Sequence, residues 1–162
     1  MTLPYELKVF LGYRNFAMLD EQGEYLAKAN SLWSLLDVGT GKPVMVNEAM
    51  HKGYEIDEKL DMEYAPQQKL PCRKVENCWN PSMVKKHHLD TNHHVNNGQY
   101  INIAMEYLPD DFVIRQMRAE YKKQAFLDDV LHPYVVSIEN GYVICLQDEA
   151  GKPYVSVEFQ GQ

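Results

Sequence analysis

The residues with the most chemical capacity lie in one run, His87-His88-Leu89-Asp90-Thr91-Asn92-His93-His94-Val95-Asn96-Asn97. Imidazoles, a carboxylate and carboxamides precede a stretch with helical patterning, where a helix start offers free backbone N–H groups and positive potential. Such a start can polarise a carbonyl and hold a developing oxyanion. His94 can then serve as acid or base, oriented by Asp90 or Asn92. The same residue types also suit a polar loop whose Asn and Asp only turn the chain and cap the helix. The histidines include two doublets, but no cysteine pair or His-Glu-x-x-His pattern completes a zinc ligand set, so no metal is expected. A cysteine nucleophile needs an activated thiolate, and nothing adjacent to Cys72, Cys78 or Cys145 supplies one. Trp33 and Trp79 are assigned to packing.

The element that must position this run is a helix predicted from Val95 to Leu108. Ile101, Ala104, Met105 and Leu108 recur at helical spacing, and Ile103 and Tyr107 widen the stripe until most of the circumference is apolar. A helix of that kind has to be enclosed. Asn96 or Asn97 can cap its start, and Pro109-Asp110-Asp111 ends it. Three strands follow: Arg115 to Phe126, then Tyr134–Glu139 and Tyr142–Leu146 around the hairpin signal Asn140-Gly141, and a last strand, Tyr154–Phe159, completes the set. In a regular ladder Gln124 shares a face with Arg118 and Lys122, and a bulge near 122–124 is needed to turn it elsewhere. Upstream, Val9–Leu11, Phe16–Leu19 and Tyr25–Trp33 are strand-like, and residues 46–86 lose periodicity until a strand near their end. One helix followed by hairpin-linked strands predicts an α+β domain, an antiparallel sheet wrapped around a central helix.

Two turn segments echo each other. Asp20-Glu21-Gln22-Gly23 and Asp148-Glu149-Ala150-Gly151 both join apolar strands, 148 − 20 = 128 residues apart. Either the halves are copies or a single turn motif recurs by chance; copies would put a counterpart of the helix before Met1. Composition narrows the classes further. The chain has 162 residues, 45% of them hydrophobic, and a net charge of −7. An acidic chain of this kind is not expected to bind nucleic acid, and no run approaches the roughly 18–20 apolar residues of a membrane span. With three cysteines in no paired spacing and no signal-peptide pattern, reduced thiols and a cytoplasmic location are expected. Lys85-Lys86 and the Arg115, Arg118, Lys122, Lys123 group either steer an acidic carrier or form solvated faces.

The stretch His88-Leu89-Asp90-Thr91-Asn92-His93-His94-Val95-Asn96-Asn97-Gly98-Gln99-Tyr100-Ile101 resembles the signature of acyl-ACP thioesterases, hotdog-fold enzymes of plants and bacteria. Their pattern runs Asp-Leu-Asp-x-Asn-x-His-Val-Asn-Asn-x-x-Tyr. Ala119-Glu120-Tyr121-Lys122-Lys123-Gln124 is similar to the family's following strand, and Tyr13–Phe16 through Ser31–Asp37 to the end of its N-terminal hotdog unit. The resemblance implies a hotdog fold with one complete unit at 70–162, a partial one of strands only at 1–45, and a connector at 46–69. It implies Asp90, Asn92, His94 and Gln124 as catalytic positions, with Val95, Asn96 and Asn97 holding substrate at the helix start. Three positions depart from the pattern. Gln124 stands where plant members have glutamate, Ala125 where a cysteine occurs, and His88 where the first aspartate occurs. Gln124 can orient water but cannot take a proton.

The implied activity is hydrolysis of a fatty acyl thioester on acyl carrier protein, or on coenzyme A, with no metal or organic cofactor. Competing readings are a module that binds acyl thioesters without hydrolysing them, and an acyl-CoA thioesterase of the same fold. Exposed strand edges favour a homo-oligomer.

Overall fold

Short strands joined by tight turns dominate the chain. The computed structural model describes residues 1–66, 68–72 and 79–162, which form two units, Met1–Ala65 and Pro66–Gln162.

In the first unit, β1 (Thr2–Lys8), β2 (Leu11–Leu19) and β3 (Tyr25–Ser34) form an antiparallel sheet in that order. The strand expected at Val9–Leu11 is corrected: Val9 and Phe10 make the β1–β2 turn, with Val9 at φ 53°, and β1 precedes them. Polar Thr2, Tyr5 and Glu6 hid β1, because its side chains are mostly half-exposed and carry no clean alternation. A short helix, α1 (Glu48–Gly53), is capped by the Asn47 side chain, which accepts from the Met50 N–H at 2.9 Å. Residues 57–64 fold back on the sheet through the fully buried Asn15 of β2. Its Oδ1 accepts from the Leu60 N–H at 3.1 Å and from the Tyr64 hydroxyl at 3.0 Å. Residues 46–65 therefore fold with β1–β3.

The second unit is a five-stranded antiparallel sheet, in the order β4-β6-β7-β8-β5. Its strands are β4 (Ser82–Met83), β5 (Ile114–Tyr121), β6 (Val130–Ile138), β7 (Gly141–Gln147) and β8 (Pro153–Gly161). β7 and β8 are interior strands, β7 buried at six of its seven residues and β8 through the run Tyr154–Val157 and at Phe159, so their apolar runs are continuous rather than alternating. Helix α2 (Asn97–Met105) packs on them through Tyr100, Ile103 and Ala104, against a core that includes Ile144, Leu146, Val155, Val157 and Phe159. Burying each large aliphatic or aromatic side chain there contributes roughly 1.5–3 kcal/mol. The helix is shorter than predicted. Asn96 stays extended as its cap, and past Met105 the chain tightens, with Tyr107 and Leu108 N–H groups bonding three residues back. At the β6–β7 turn Asn140 has φ 58°, and a side chain on Gly141 would collide with the Phe159 carbonyl of β8. Only glycine fits that crossing.

The two echoing turns are built alike. Asp20 and Asp148 each accept, through Oδ1, the N–H four residues on, at 2.8 Å in both. Each also accepts, through its carbonyl, the N–H of Gly23 or Gly151, both of which have positive φ.

The expectation of reduced thiols throughout is corrected. Cys72 and Cys145 are disulfide-bonded, with Cα atoms 5.8 Å apart across 73 residues of sequence. Sequence spacing cannot reveal such a pair, because β7 only meets the segment at 68–72 in the folded sheet. Gln147 Nε2 donates to Cys72 Sγ at 3.1 Å beside the bond. Cys78 lies outside the described residues.

Candidate active site

Residues 88–96 form a small hairpin. Leu89 bridges Val95, the Asp90 N–H donates to the His94 carbonyl at 3.0 Å, and the Asn96 N–H donates to the His88 carbonyl at 3.0 Å. Thr91, Asn92 and His93 are the tip, closed by His93 at φ 63°. Asp90 and His94 thus face each other as a cross-strand pair, which is why side chains four residues apart meet without a helix. Asp90 Oδ2 lies 3.4 Å from His94 Nδ1, and each side chain is 23% exposed. Asp90 Oδ1 is engaged separately, accepting the Asn92 N–H at 2.8 Å. The carboxylate therefore has one oxygen fixing the turn and one facing the imidazole. Imidazole Nε2 is left for other work.

Helix α2 starts directly after this hairpin. Asn96 caps it, its Oδ1 accepting from the Gly98 N–H at 2.8 Å. That engagement leaves the Asn97 N–H as the first-turn amide without an acceptor among the described residues. The several free N–H groups expected at the helix start reduce to this one. Val95 is buried and its N–H donates to the Ala125 carbonyl at 2.9 Å, so its role here is to tie the hairpin to the segment after β5. Asn92 is exposed at the tip, and among the described residues its carboxamide makes no hydrogen bond.

Gln124 follows β5, and a bulge precedes it. The N–H groups of Lys122 and Lys123 both donate to the Tyr154 carbonyl, at 2.8 and 3.2 Å, so two residues of one strand oppose one of its neighbour. Phe126 then pairs with His94. Continuing that antiparallel register from 94 and 126 puts Gln124 across from Asn96. Its side chain is exposed and makes no hydrogen bond to Asp90, Asn92 or His94 among the described residues. The backbone brings it to the helix start, while contact with the acid–imidazole pair is not made.

Several neighbours were given no role by residue type. His88 is buried, and its Nδ1 accepts the Lys85 N–H at 3.0 Å; burial, with the charges of His87 and Lys85, holds its pKa below the usual imidazole value. It acts as a neutral brace for the turn Lys86–His88. Phe126 and Leu127 are exposed apolar side chains beside His94. The phenol of Tyr121 donates to the Asn97 carbonyl at 3.2 Å, and that of Tyr100 accepts from the Ala125 N–H. The motif contains Tyr100, but residue type alone gives a tyrosine at a helix start no distinct role.

The basic group on and just past β5 meets two carboxylates, which offset two of its four charges. Arg118 and Lys122 pair with Glu120 at 2.8 and 3.3 Å, and Lys123 pairs with Asp148 at 2.7 Å. Arg118 also bonds the Gln68 carbonyl, and Glu120 accepts the Leu70 N–H, so this cluster anchors residues 68–70. Among the described residues no group of three or more His, Cys, Asp or Glu side chains could hold a metal ion. No described helix is long and apolar enough to cross a membrane.

An apolar cavity of about 710 Å³ lies within the first unit, lined by residues that include Leu7, Phe16, Trp33, Leu35 and Met50.

Residues 73–158, more than half of the chain, match the acyl-ACP thioesterase C-terminal domain. An acyl-ACP thioesterase from Bacteroides thetaiotaomicron is similar in structure over 99% of this chain and 67% of its own, with TM-score 0.85 and 20% identity. The 12:0-ACP thioesterase from Umbellularia californica is similar over 99% of this chain and 66% of its own, with TM-score 0.82 and 20% identity. The chain thus spans about two thirds of the length of these proteins. No curated protein matches it. The shared fold is the α+β hotdog, and the chain belongs to the acyl-ACP thioesterase family.

Proposed function

We propose that this protein hydrolyses fatty acyl thioesters, releasing free fatty acid from acyl carrier protein, with coenzyme A thioesters as the other candidate donor. The observation that carries the reading is the Asp90–His94 pair at the start of α2. His94 Nε2 removes a proton from water as the water oxygen attacks the thioester carbonyl. Asp90 Oδ2 holds the Nδ1 side of the ring and stabilises the imidazolium that forms. The carbonyl oxygen becomes an oxyanion and is held by the Asn97 N–H under the positive end of the helix. Collapse of the intermediate breaks the C–S bond, and His94 returns its proton to the leaving thiolate. Asn92 and Gln124 orient water or substrate through their carboxamides, and Val95 and Asn96 hold the helix start in place. Asp90 is the orienting carboxylate in this scheme, because both of its oxygens are already engaged.

The first unit is read as the strand portion of an N-terminal hotdog unit, since its β2–β3 turn shares three hydrogen bonds with the β7–β8 turn: the aspartate N–H to the carbonyl four residues on, the glycine N–H to the aspartate carbonyl, and the N–H four residues on to the aspartate Oδ1. A homo-oligomer is proposed from β3, a long edge strand that exposes Tyr25, Leu26, Leu32 and Trp33. Sedimentation as a clean monomer at micromolar concentration would count against it.

The test of function is incubation of the purified protein with acyl-ACP and acyl-CoA of graded chain length, with free acid measured. Release from acyl-ACP that is lost in Asp90→Ala supports the hydrolase. A second reading, a module that binds without hydrolysing, is favoured by Gln124, whose carboxamide cannot replace a carboxylate base. Saturable binding of acyl-ACP with no acid released would establish that reading instead.

A further inference from the structure

The segment between β5 and β6 carries Gln124, yet among the described residues no hydrogen bond holds its side chain. What holds it in place is the backbone on either side. On one side the Lys122 and Lys123 N–H groups share the Tyr154 carbonyl. On the other, the Val95 N–H donates to the Ala125 carbonyl, and Phe126 pairs with His94. In a continued antiparallel ladder the 95/125 pair would exchange two hydrogen bonds, with the Ala125 N–H returning to the Val95 carbonyl. Only one of the two is made. The Ala125 N–H goes instead to the phenol oxygen of Tyr100, at 2.7 Å. The same phenol points its own O–H toward the Lys123 carbonyl, 3.5 Å away. Tyr100 therefore brackets Gln124, bonded at the residue after it and aimed at the residue before it.

The bracket is built rather than incidental. Tyr100 is 2% exposed and Ala125 fully buried, so neither the N–H nor the phenol has water as a substitute partner. Burial also pushes the phenol's pKa up to about 12, so it stays a neutral hydroxyl able to accept and donate at once. Tyr100 sits in the first turn of α2, whose start is fixed by the Asn96 cap. The bond thus transfers the position of the helix start to the segment opposite His94.

We infer that Tyr100 is a positioning residue for hydrolysis at this site, its phenol diverting the Ala125 N–H from the ladder and thereby holding Gln124 beside the helix start. The assignment rests on the hydrolase reading above. The bracket fixes the backbone on either side of an exposed glutamine whose side chain makes no hydrogen bond among the described residues.

The test is Tyr100→Phe in the full chain, alone and combined with Gln124→Ala. Backbone amide exchange followed by NMR should show Ala125 losing its protection in Tyr100→Phe, while Val95 and Lys122 keep theirs and the chain stays folded. With acyl-ACP as substrate, kcat should fall about tenfold or more with KM changed less than about twofold, since a misplaced group costs turnover rather than binding. In the Gln124→Ala background, Tyr100→Phe should have no further effect on kcat, because the tyrosine acts through the glutamine. Additive losses, or an unchanged kcat in Tyr100→Phe despite faster exchange at Ala125, would overturn the assignment while leaving the hydrolase reading intact. A wild-type chain that binds acyl-ACP without turning it over would overturn the hydrolase reading and the assignment with it.

Discussion

Asp90→Asn separates the charge of the acidic partner from its shape. The carboxamide keeps an oxygen for the Asn92 N–H, so the hairpin tip stays closed. What it loses is the negative charge 3.4 Å from His94 Nδ1. In the proposed mechanism His94 takes a proton from water, so that charge stabilises the transition state more than the ground state. At this distance a unit pair is worth about 1 kcal/mol in bulk water and about 5 kcal/mol at an effective dielectric near 20. With both side chains 23% exposed, the site lies between those limits. A loss of about 2–3 kcal/mol is expected, or roughly 30- to 150-fold in kcat. The assay is single-turnover release of free acid from acyl-ACP at fixed ionic strength, with circular dichroism to confirm the fold. KM should change little. Asp90→Ala should cost more, because the Asn92 N–H then loses its acceptor too. A folded Asp90→Asn protein within about threefold of wild type would refute the reasoning, since the imidazole would then need no carboxylate.

Reduction of the Cys72–Cys145 bond should destabilise the second unit by about 4 kcal/mol on the chain-entropy estimate for a 73-residue separation; superimposable urea curves with and without reductant would contradict this. His88 has its folded pKa depressed by burial, so the unfolded chain binds more protons. Stability is therefore full above the ordinary imidazole value of about 6.5 and falls as pH drops below it, by at most about 1.4 kcal/mol per pH unit from this group. His88→Asn should flatten that slope in denaturation measured from pH 7 to 5. Asn96→Ala removes the cap that accepts the Gly98 N–H and should cost about 1 kcal/mol in thermal unfolding. No change in Tm would mean that the helix start is held by the Val95–Ala125 bond instead.

The geometry of the candidate site follows largely from parts that are local in sequence. Asp90, Asn92 and His94 stand within five residues, and a hairpin with a three-residue tip brings the first and last face to face whatever surrounds it. The helix after them follows from apolar spacing and an Asn cap, both properties of contiguous sequence. The Asn140-Gly141 hairpin was legible for the same reason, since asparagine is one of the few residues that readily adopt the positive φ found at position 140. The boundaries were less legible. Helix α2 starts later than its apolar pattern because the Asn96 side chain takes the Gly98 N–H only from an extended backbone. β1 was hidden because a half-exposed strand carries no strict alternation.

Other features depended on contacts between distant segments, which residue spacing does not encode. Cys72 and Cys145 meet because the fold brings Cys72 onto β7, where it also accepts from Gln147. The basic residues on and just past β5 read either as a surface that steers an acidic carrier or as solvated faces; in the fold three of the four pair with Glu120 and Asp148, which offset two of the charges. Position 124 shows the division most plainly. Residue identity alone puts a carboxamide there, a group that cannot take a proton. Where that carboxamide sits was decided by the tertiary structure: by a bulge against Tyr154 and by the Tyr100 phenol bonded to the Ala125 N–H. Side-chain chemistry belongs to the residue, whereas a hydrogen bond between strangers in sequence exists only once the sheet has brought them together.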